Sequence, residues 1–151
     1  MGIWFRAYTL EELNNLAVGN LLSHIGIEFI EIGENYLRAR MPVDQRTMQP
    51  FGILHGGASV ALAETIGSCA ACMVYDFPRV FFVGQEINAN HIRPVSSGYV
   101  TGTARPLHVG KTSQVWDIRI HDDQERLVCV SRITMSLARP KDSAENGQTT
   151  P

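Results

Sequence analysis

The sequence predicts an α+β fold, an antiparallel sheet wrapped round one long helix. Three observations carry this. The run Ala58 to Tyr75 holds no Pro and is apolar or small nearly all the way round, as in a helix buried on most sides. Before it, Ile27 to Ile32 and Tyr36 to Val43 flank the turn Gly33-Glu34-Asn35 and read as a hairpin. After it come four alternating stretches: about Val80 to Arg93, Gly98 to His108, Ser113 to His121 and Arg126 to Ala138. Short turns at Pro94–Gly98, Val109–Thr112 and Asp122–Glu125 separate them.

Each element has a local reason. Thr9-Leu10-Glu11-Glu12 is a capping box, and Leu10, Leu13 and Leu16 mark one face of a short helix ending near Gly19. Leu21 to Gly26 reads as a connection. Leu37, Ala39 and Met41 alternate with Arg38 and Arg40, and Pro42 suggests the end or edge of that strand. Asp44 to Leu54, with Pro50 and Gly52, is a loop feeding the long helix. Asp76-Phe77-Pro78-Arg79 stops that helix. At about 1.5 Å per residue the helix would be roughly 27 Å long. It falls short of the roughly 20 apolar residues of a membrane span, and it contains a charge. One domain is expected over residues 1–140. Beyond Pro140 the composition turns polar, and 141–151 reads as a disordered tail.

A chain of 151 residues suits one sizeable core. With 44% apolar and 19% charged residues it reads as globular. The formal net charge of −2 gives no basic footprint for nucleic acid, and nothing points to a membrane. Met1-Gly2-Ile3-Trp4-Phe5-Arg6 is soon polar and does not read as a leader, and Arg6 breaks the myristoylation pattern that Met1-Gly2 opens. Three Cys with no sign of secretion suggest a cytoplasmic protein with reduced thiols.

Glu64 is the residue out of place in the long helix. A solvent-facing Glu is the plain explanation, but a carboxylate on so apolar a helix is rarely buried unless paired or used. Gly56-Gly57 puts two residues without Cβ at the helix start, where unpaired N–H groups and the positive end of the macrodipole lie. Amide donors for an oxyanion and a carboxylate base or nucleophile are the parts of an acyl-transfer site. Yet Gly56 and Glu64 stand eight residues apart, about 12 Å along one helix. A reacting carbonyl must lie about 3 Å from both. Two antiparallel copies related by a two-fold axis would satisfy this, so a homodimer with shared sites is predicted. Ser68, at i+4 from Glu64, can hydrogen-bond its carboxylate.

Gln49-Pro50-Phe51-Gly52-Ile53-Leu54-His55-Gly56-Gly57, followed by Leu62-Ala63-Glu64-Thr65-Ile66-Gly67-Ser68, resembles the hotdog-fold acyl-CoA thioesterases. The bacterial group that includes the 1,4-dihydroxy-2-naphthoyl-CoA and enterobactin-pathway proofreading thioesterases is the one it is most similar to. The resemblance runs from about Trp4 to Leu137 and includes Met41-Pro42-Val43-Asp44, Glu86-Ile87-Asn88-Ala89-Asn90-His91 and Gln114-Val115-Trp116. It implies the hotdog fold, hydrolysis of an acyl-CoA (or an acyl-carrier-protein thioester), aromatic acyl groups such as dihydroxynaphthoyl or hydroxybenzoyl, and assembly of dimers into a homotetramer. It makes Glu64 the base or nucleophile and Gly56 N–H the oxyanion donor. His55, which residue type alone leaves as a possible helix cap, becomes a group that polarises the carbonyl. Gln49 lies near the acyl group and the attacking water, and Gly84 contacts substrate. CoA contacts are implied for His91-Ile92-Arg93-Pro94 and for His108-Val109-Gly110-Lys111-Thr112-Ser113, which otherwise read as solvated loops. There Arg93, Lys111 and the backbone donors beside Gly110 would meet phosphates.

Other chemistries find little support. Cys69-Ala70-Ala71-Cys72 lies inside the helix with no second ligand pair and reads as packing, not as zinc or redox chemistry. The five His show no metal spacing, and no metal or redox cofactor is expected. The sequence has no G-x-S-x-G elbow and no phosphate-binding glycine motif. Two rivals stay open: a hotdog hydratase or dehydratase of acyl thioesters, and a non-catalytic acyl-CoA or acyl-carrier binding protein.

Overall fold

The computed structural model describes residues 2–138. The polar stretch 141–151 lies outside the described residues. Helix α1 (Leu10–Asn15) starts at the expected capping box: Thr9 Oγ accepts from Glu12 N–H at 3.1 Å and the Glu12 carboxylate accepts from Thr9 N–H at 2.8 Å. The stretch read as a connection contains a second short helix, α2 (Leu21–Ile25). Asn20 caps it by accepting from Leu22 N–H at 3.1 Å, and Gly26 closes it at φ 74°. Five residues are too few to show a helical period, which is why pattern alone passes over it.

Strands β1 (Glu28–Ile32) and β2 (Leu37–Pro42) form the predicted hairpin, with Phe29 opposite Ala39, and Pro42 ends β2. Helix α3 (Gly56–Met73) follows, then β3 (Phe81–His91), β4 (Tyr99–Val109), β5 (Ser113–Asp122) and β6 (Leu127–Ala138). All pair antiparallel in one six-stranded sheet of order β1-β2-β4-β5-β6-β3. α3 packs against β2 through β6.

Strand alternation explains the two faces. Leu37, Ala39, Met41, Val100, Ala104, Trp116, Ile118, Ile120, Ile133 and Met135 are buried towards α3, against its Leu62, Ala63, Ile66 and Ala70. Each of the larger side chains contributes about 1.5–3 kcal/mol by burial. The intervening residues carry charge on the far face, where Arg38 pairs with Glu31, Arg40 with Glu28 and Arg119 with Asp117. Polar side chains break the inward pattern at Gln114, Asp122 and Ser131. Gln114 is fully buried, donating from Nε2 to Ala71 O at 3.1 Å and accepting from Trp116 Nε1 at 2.9 Å. It ties β5 to the last turns of α3.

β3 is an edge strand. Among the described residues it pairs with β6 alone, and a bulge interrupts it between Gly84 and Glu86. No helix among the described residues is long and apolar enough to cross a membrane.

Candidate active site

The start of α3 builds one half of the site. His55 is the N-cap in extended backbone, and its Nδ1 accepts from Gly57 N–H at 2.8 Å. Nδ1 therefore carries no proton, and the N–H of the neutral ring is at Nε2. The cap that residue type alone offered for His55 is thus present, and its Nε2–H is left for another partner. Ala58 and Ser59 both donate to His55 O. Gly56 N–H, in contrast, has no acceptor among the described residues, as expected of the first helical residue.

His91, from the end of β3, comes close to Gly56: a Cβ there would lie 2.7 Å from His91 Nε2. Gly56, Gln49, Ser59, His91, Arg93 and Pro94 line a cavity of about 330 Å³. Gln49 is held by its own turn, with Oε1 accepting from Phe51 N–H, which leaves the two Nε2 donors. Backbone N–H groups of Ile92 and Arg93 are committed to Val128 O, so in this segment the side chains of His91 and Arg93 are what stays open to an anion.

Glu64 forms the other half. It is half-buried on α3, and Ser68 Oγ donates to its Oε1 at 3.3 Å, as the i+4 spacing predicts. Gly84 of β3 faces it so closely that a Cβ would collide with Oε1. Further along, a second cavity of about 250 Å³ lies between α1 and the second half of α3, with Ser68 in its wall beside Tyr8, Leu16, Cys69, Cys72 and Phe77. Burial pushes the Cys69 thiol up to about 12 and raises that of Cys72. Sequence reasoning treats this Cys pair as packing and misses the cavity it lines. The Leu10, Leu13, Leu16 stripe predicts one buried face, but Leu13 alone of the three is buried and Leu16 stays 57% exposed.

The two halves do not meet within one chain. The segments proposed for CoA phosphates are also separated. His91–Pro94 sits by the start of α3, whereas the turn after His108 and Val109 sits by its end, where Tyr75 donates to Gly110 O at 3.0 Å. Gly110 N–H closes that turn by donating to Ser113 O at 2.9 Å. Lys111, Thr112 and His108 remain exposed there, with Ser113 half-buried. Neither Arg93 nor Lys111 has a carboxylate partner among the described residues. No three metal-ligating side chains converge among those residues.

A long helix held by one antiparallel sheet, with a carboxylate mid-helix and an open amide at its start, is the hotdog architecture equipped for thioester chemistry. Residues 51–129 match the thioesterase superfamily. The proofreading thioesterase EntH of Cronobacter turicensis is 51% identical over 89% of this chain and 98% of its own. The 1,4-dihydroxy-2-naphthoyl-CoA hydrolase of Escherichia coli is 50% identical over the same shares. A crystal structure of the thioesterase HI1161 from Haemophilus influenzae superposes with a TM-score of 0.88 at 51% identity, covering 91% of this chain and 95% of that one. The chain belongs to the thioesterase superfamily, and it is a thioester hydrolase.

Proposed function

We propose that the enzyme hydrolyses aromatic acyl-CoA thioesters to the free acid and CoA, at sites shared between two copies of the chain. One observation carries the reading: a single free-edge strand marks both half-sites. Gly84 near one end of β3 covers Glu64, and His91 at the other end covers Gly56. Edge strands offer unpaired backbone groups to another strand. A two-fold axis at Asn88 would pair Ile87 with Ala89 of the partner subunit and keep inward residues inward, as register requires. It would set His91 opposite the Gly84–Gln85 bulge of the partner subunit. Gly56 of one chain would then approach Glu64 of the other. The same rotation would bring Arg93 towards the turn that holds Lys111, giving the phosphates of CoA cations from both chains.

In that arrangement Gly56 N–H and the α3 dipole stabilise the carbonyl oxygen as charge develops on it. His55 Nε2–H and the Gln49 amide orient the thioester and the water. Glu64, held by Ser68, either takes the proton of the attacking water or attacks the carbonyl itself to form an anhydride that water then hydrolyses. The C–S bond breaks, and CoA leaves as the thiol after gaining a proton. The aromatic preference is supported by likeness to the hydrolase named for 1,4-dihydroxy-2-naphthoyl-CoA. Assembly of such dimers into a tetramer belongs to the same reading.

Thiol release from a panel of acyl-CoAs, by wild type and Glu64→Gln in parallel, tests it. The variant should fold and bind CoA but lose about 10²–10⁴-fold in kcat. Near-normal rates from Glu64→Gln would overturn the mechanism.

A further inference from the structure

We propose that the face of the sheet turned away from α3 carries a second binding site, for a small phosphate-type oxyanion, free or as a phosphate monoester. The site is a cavity of about 260 Å³ apart from the thioester machinery. Strand alternation makes it. Val100, Gly102 and Ala104 of β4 are buried towards α3, so Thr101, Thr103 and Arg105 stand on the opposite face. The two threonines are short and form a floor. Longer side chains rise around them: Arg38 of β2 lies opposite Thr103, His121 of β5 lies opposite Thr101, and Arg105 follows along β4.

The cations there have donors to spare. Arg105 has no carboxylate partner among the described residues. Its Nη1 donates to Asn35 Oδ1 at 3.1 Å, and its guanidinium lies 4.4 Å over the Tyr36 ring. The ring holds the cation in place and leaves its other N–H groups free. Arg38 is anchored by Nη1, which donates to Glu31 at 2.9 Å. Its Nε is buried and has no partner among the described residues. An unpaired buried donor on a charged group is costly, and an anion's oxygen would supply the missing acceptor after a small turn of the side chain. Two hydroxyls, two guanidinium groups and an imidazole thus face the space from three strands. A carboxylate offers two oxygens in one plane, whereas a phosphate offers three, which suits donors arriving from several directions. One water takes roughly 30 Å³, so the cavity has room for an oxyanion with an organic remainder. The lining also holds one carboxylate, Glu125, exposed in the turn between β5 and β6. It opposes an anion, which fixes the sign of one test.

The test follows the Tm of the protein as inorganic phosphate is added at constant ionic strength. Binding to the folded chain gives a saturable rise, about 3–6 °C at ten times Kd. Acetate should give a much smaller one. Glycerol phosphate separates the two sources: tighter binding than inorganic phosphate assigns the site to a monoester, equal or weaker binding to free phosphate. Arg105→Gln and Arg38→Lys should each weaken phosphate binding about tenfold or more, the lysine keeping the charge beside Glu31 but not the Nε–H. Glu125→Gln should tighten it several-fold. Two controls locate the effect. Arg119→Gln removes a charge from the same face outside the cavity, and Arg93→Gln removes one beside the start of α3. Both should leave the rise in place. A rise that survives Arg105→Gln and Arg38→Lys, one that is lost in Arg93→Gln, or no saturable rise at all would overturn the proposal.

Discussion

At Gly84 a single added methyl group would occupy the space that the Glu64 carboxylate fills. The glycine lies on an exposed stretch of β3, so an alanine there has solvent to give it room and little core to disturb. What must move is the carboxylate. A displacement of about 1 Å at a reacting group costs on the order of 10²-fold. Gly84→Ala is therefore expected to lose about 10- to 100-fold in kcat with an almost unchanged Tm. A fall in Tm that matched the loss of activity would show the glycine to be structural instead. Cys69 makes a different residue-scale statement. The residue is half-buried, yet its thiol is enclosed, and desolvation, helped by neighbouring Cys72, raises it to about 12. An unfolded thiol titrates near 8.5. Below that value both states hold the proton and pH has no leverage through this group. Between about 9 and 12 the unfolded chain has lost a proton that the folded chain keeps, so stability falls as pH rises. Comparing Tm at pH 8 and pH 10.5 should show a larger drop for wild type than for Cys69→Ala. Parallel curves would remove the thiol from the account.

Among the elements, α3 sets the positions of everything else, and its start does so through His55. Because Nδ1 caps Gly57 N–H, replacing the residue has two separable consequences. His55→Ala removes cap and imidazole together and should cost about 0.5–2 kcal/mol of stability as well as activity. His55→Asn keeps a good cap but loses the Nε2–H donor, so it should hold its Tm while losing on the order of 10²-fold in kcat. Equal Tm values for the two variants would mean that the cap is not what the imidazole supplies to the fold. This division also shows what the sequence made legible. The capping box of α1, the length of α3, the hairpin and the four later strands follow from periods and turn residues that survive burial unchanged. α2 is shorter than a period. Gln114 stands at an inward register position, where alternation calls for an apolar side chain, and only its bonds to Ala71 O and Trp116 Nε1 explain it. The Ser68–Glu64 contact was readable because helix spacing fixes it. The cavity between α1 and α3 was not, because it needs two elements distant in the chain.

For the whole molecule the governing length is the eight-residue gap from Gly56 to Glu64, visible in the sequence as about 12 Å of helix. On the shared-site reading the gap calls for a second chain, and of the sheet's two edges, β1 and β3, it is β3 that carries both half-sites. Both half-sites lie along β3, so one interface should complete two sites at once, each with its amide from one chain and its carboxylate from the other. Two crippled chains should therefore repair one another. Gly56→Pro removes the amide donor where proline is best tolerated, at the first helical position, and His55 already has the extended backbone a following proline requires. Its ring would press on His91 Nε2, the far end of a side chain on the exposed stretch of the strand. Glu64→Ala removes the carboxylate. Homodimers of either variant have two broken sites and should be inactive. A mixed dimer joins the intact Gly56 of the Glu64→Ala chain to the intact Glu64 of the Gly56→Pro chain, while its other site lacks both groups. Random exchange makes about half of the dimers mixed, each with one working site in two, so roughly a quarter of wild-type activity should return on co-refolding. Differently tagged chains allow the mixed species to be purified and its composition checked before assay. Inactive mixed dimers of verified composition would place both groups of each site in the same chain, against the 12 Å of helix that separates them.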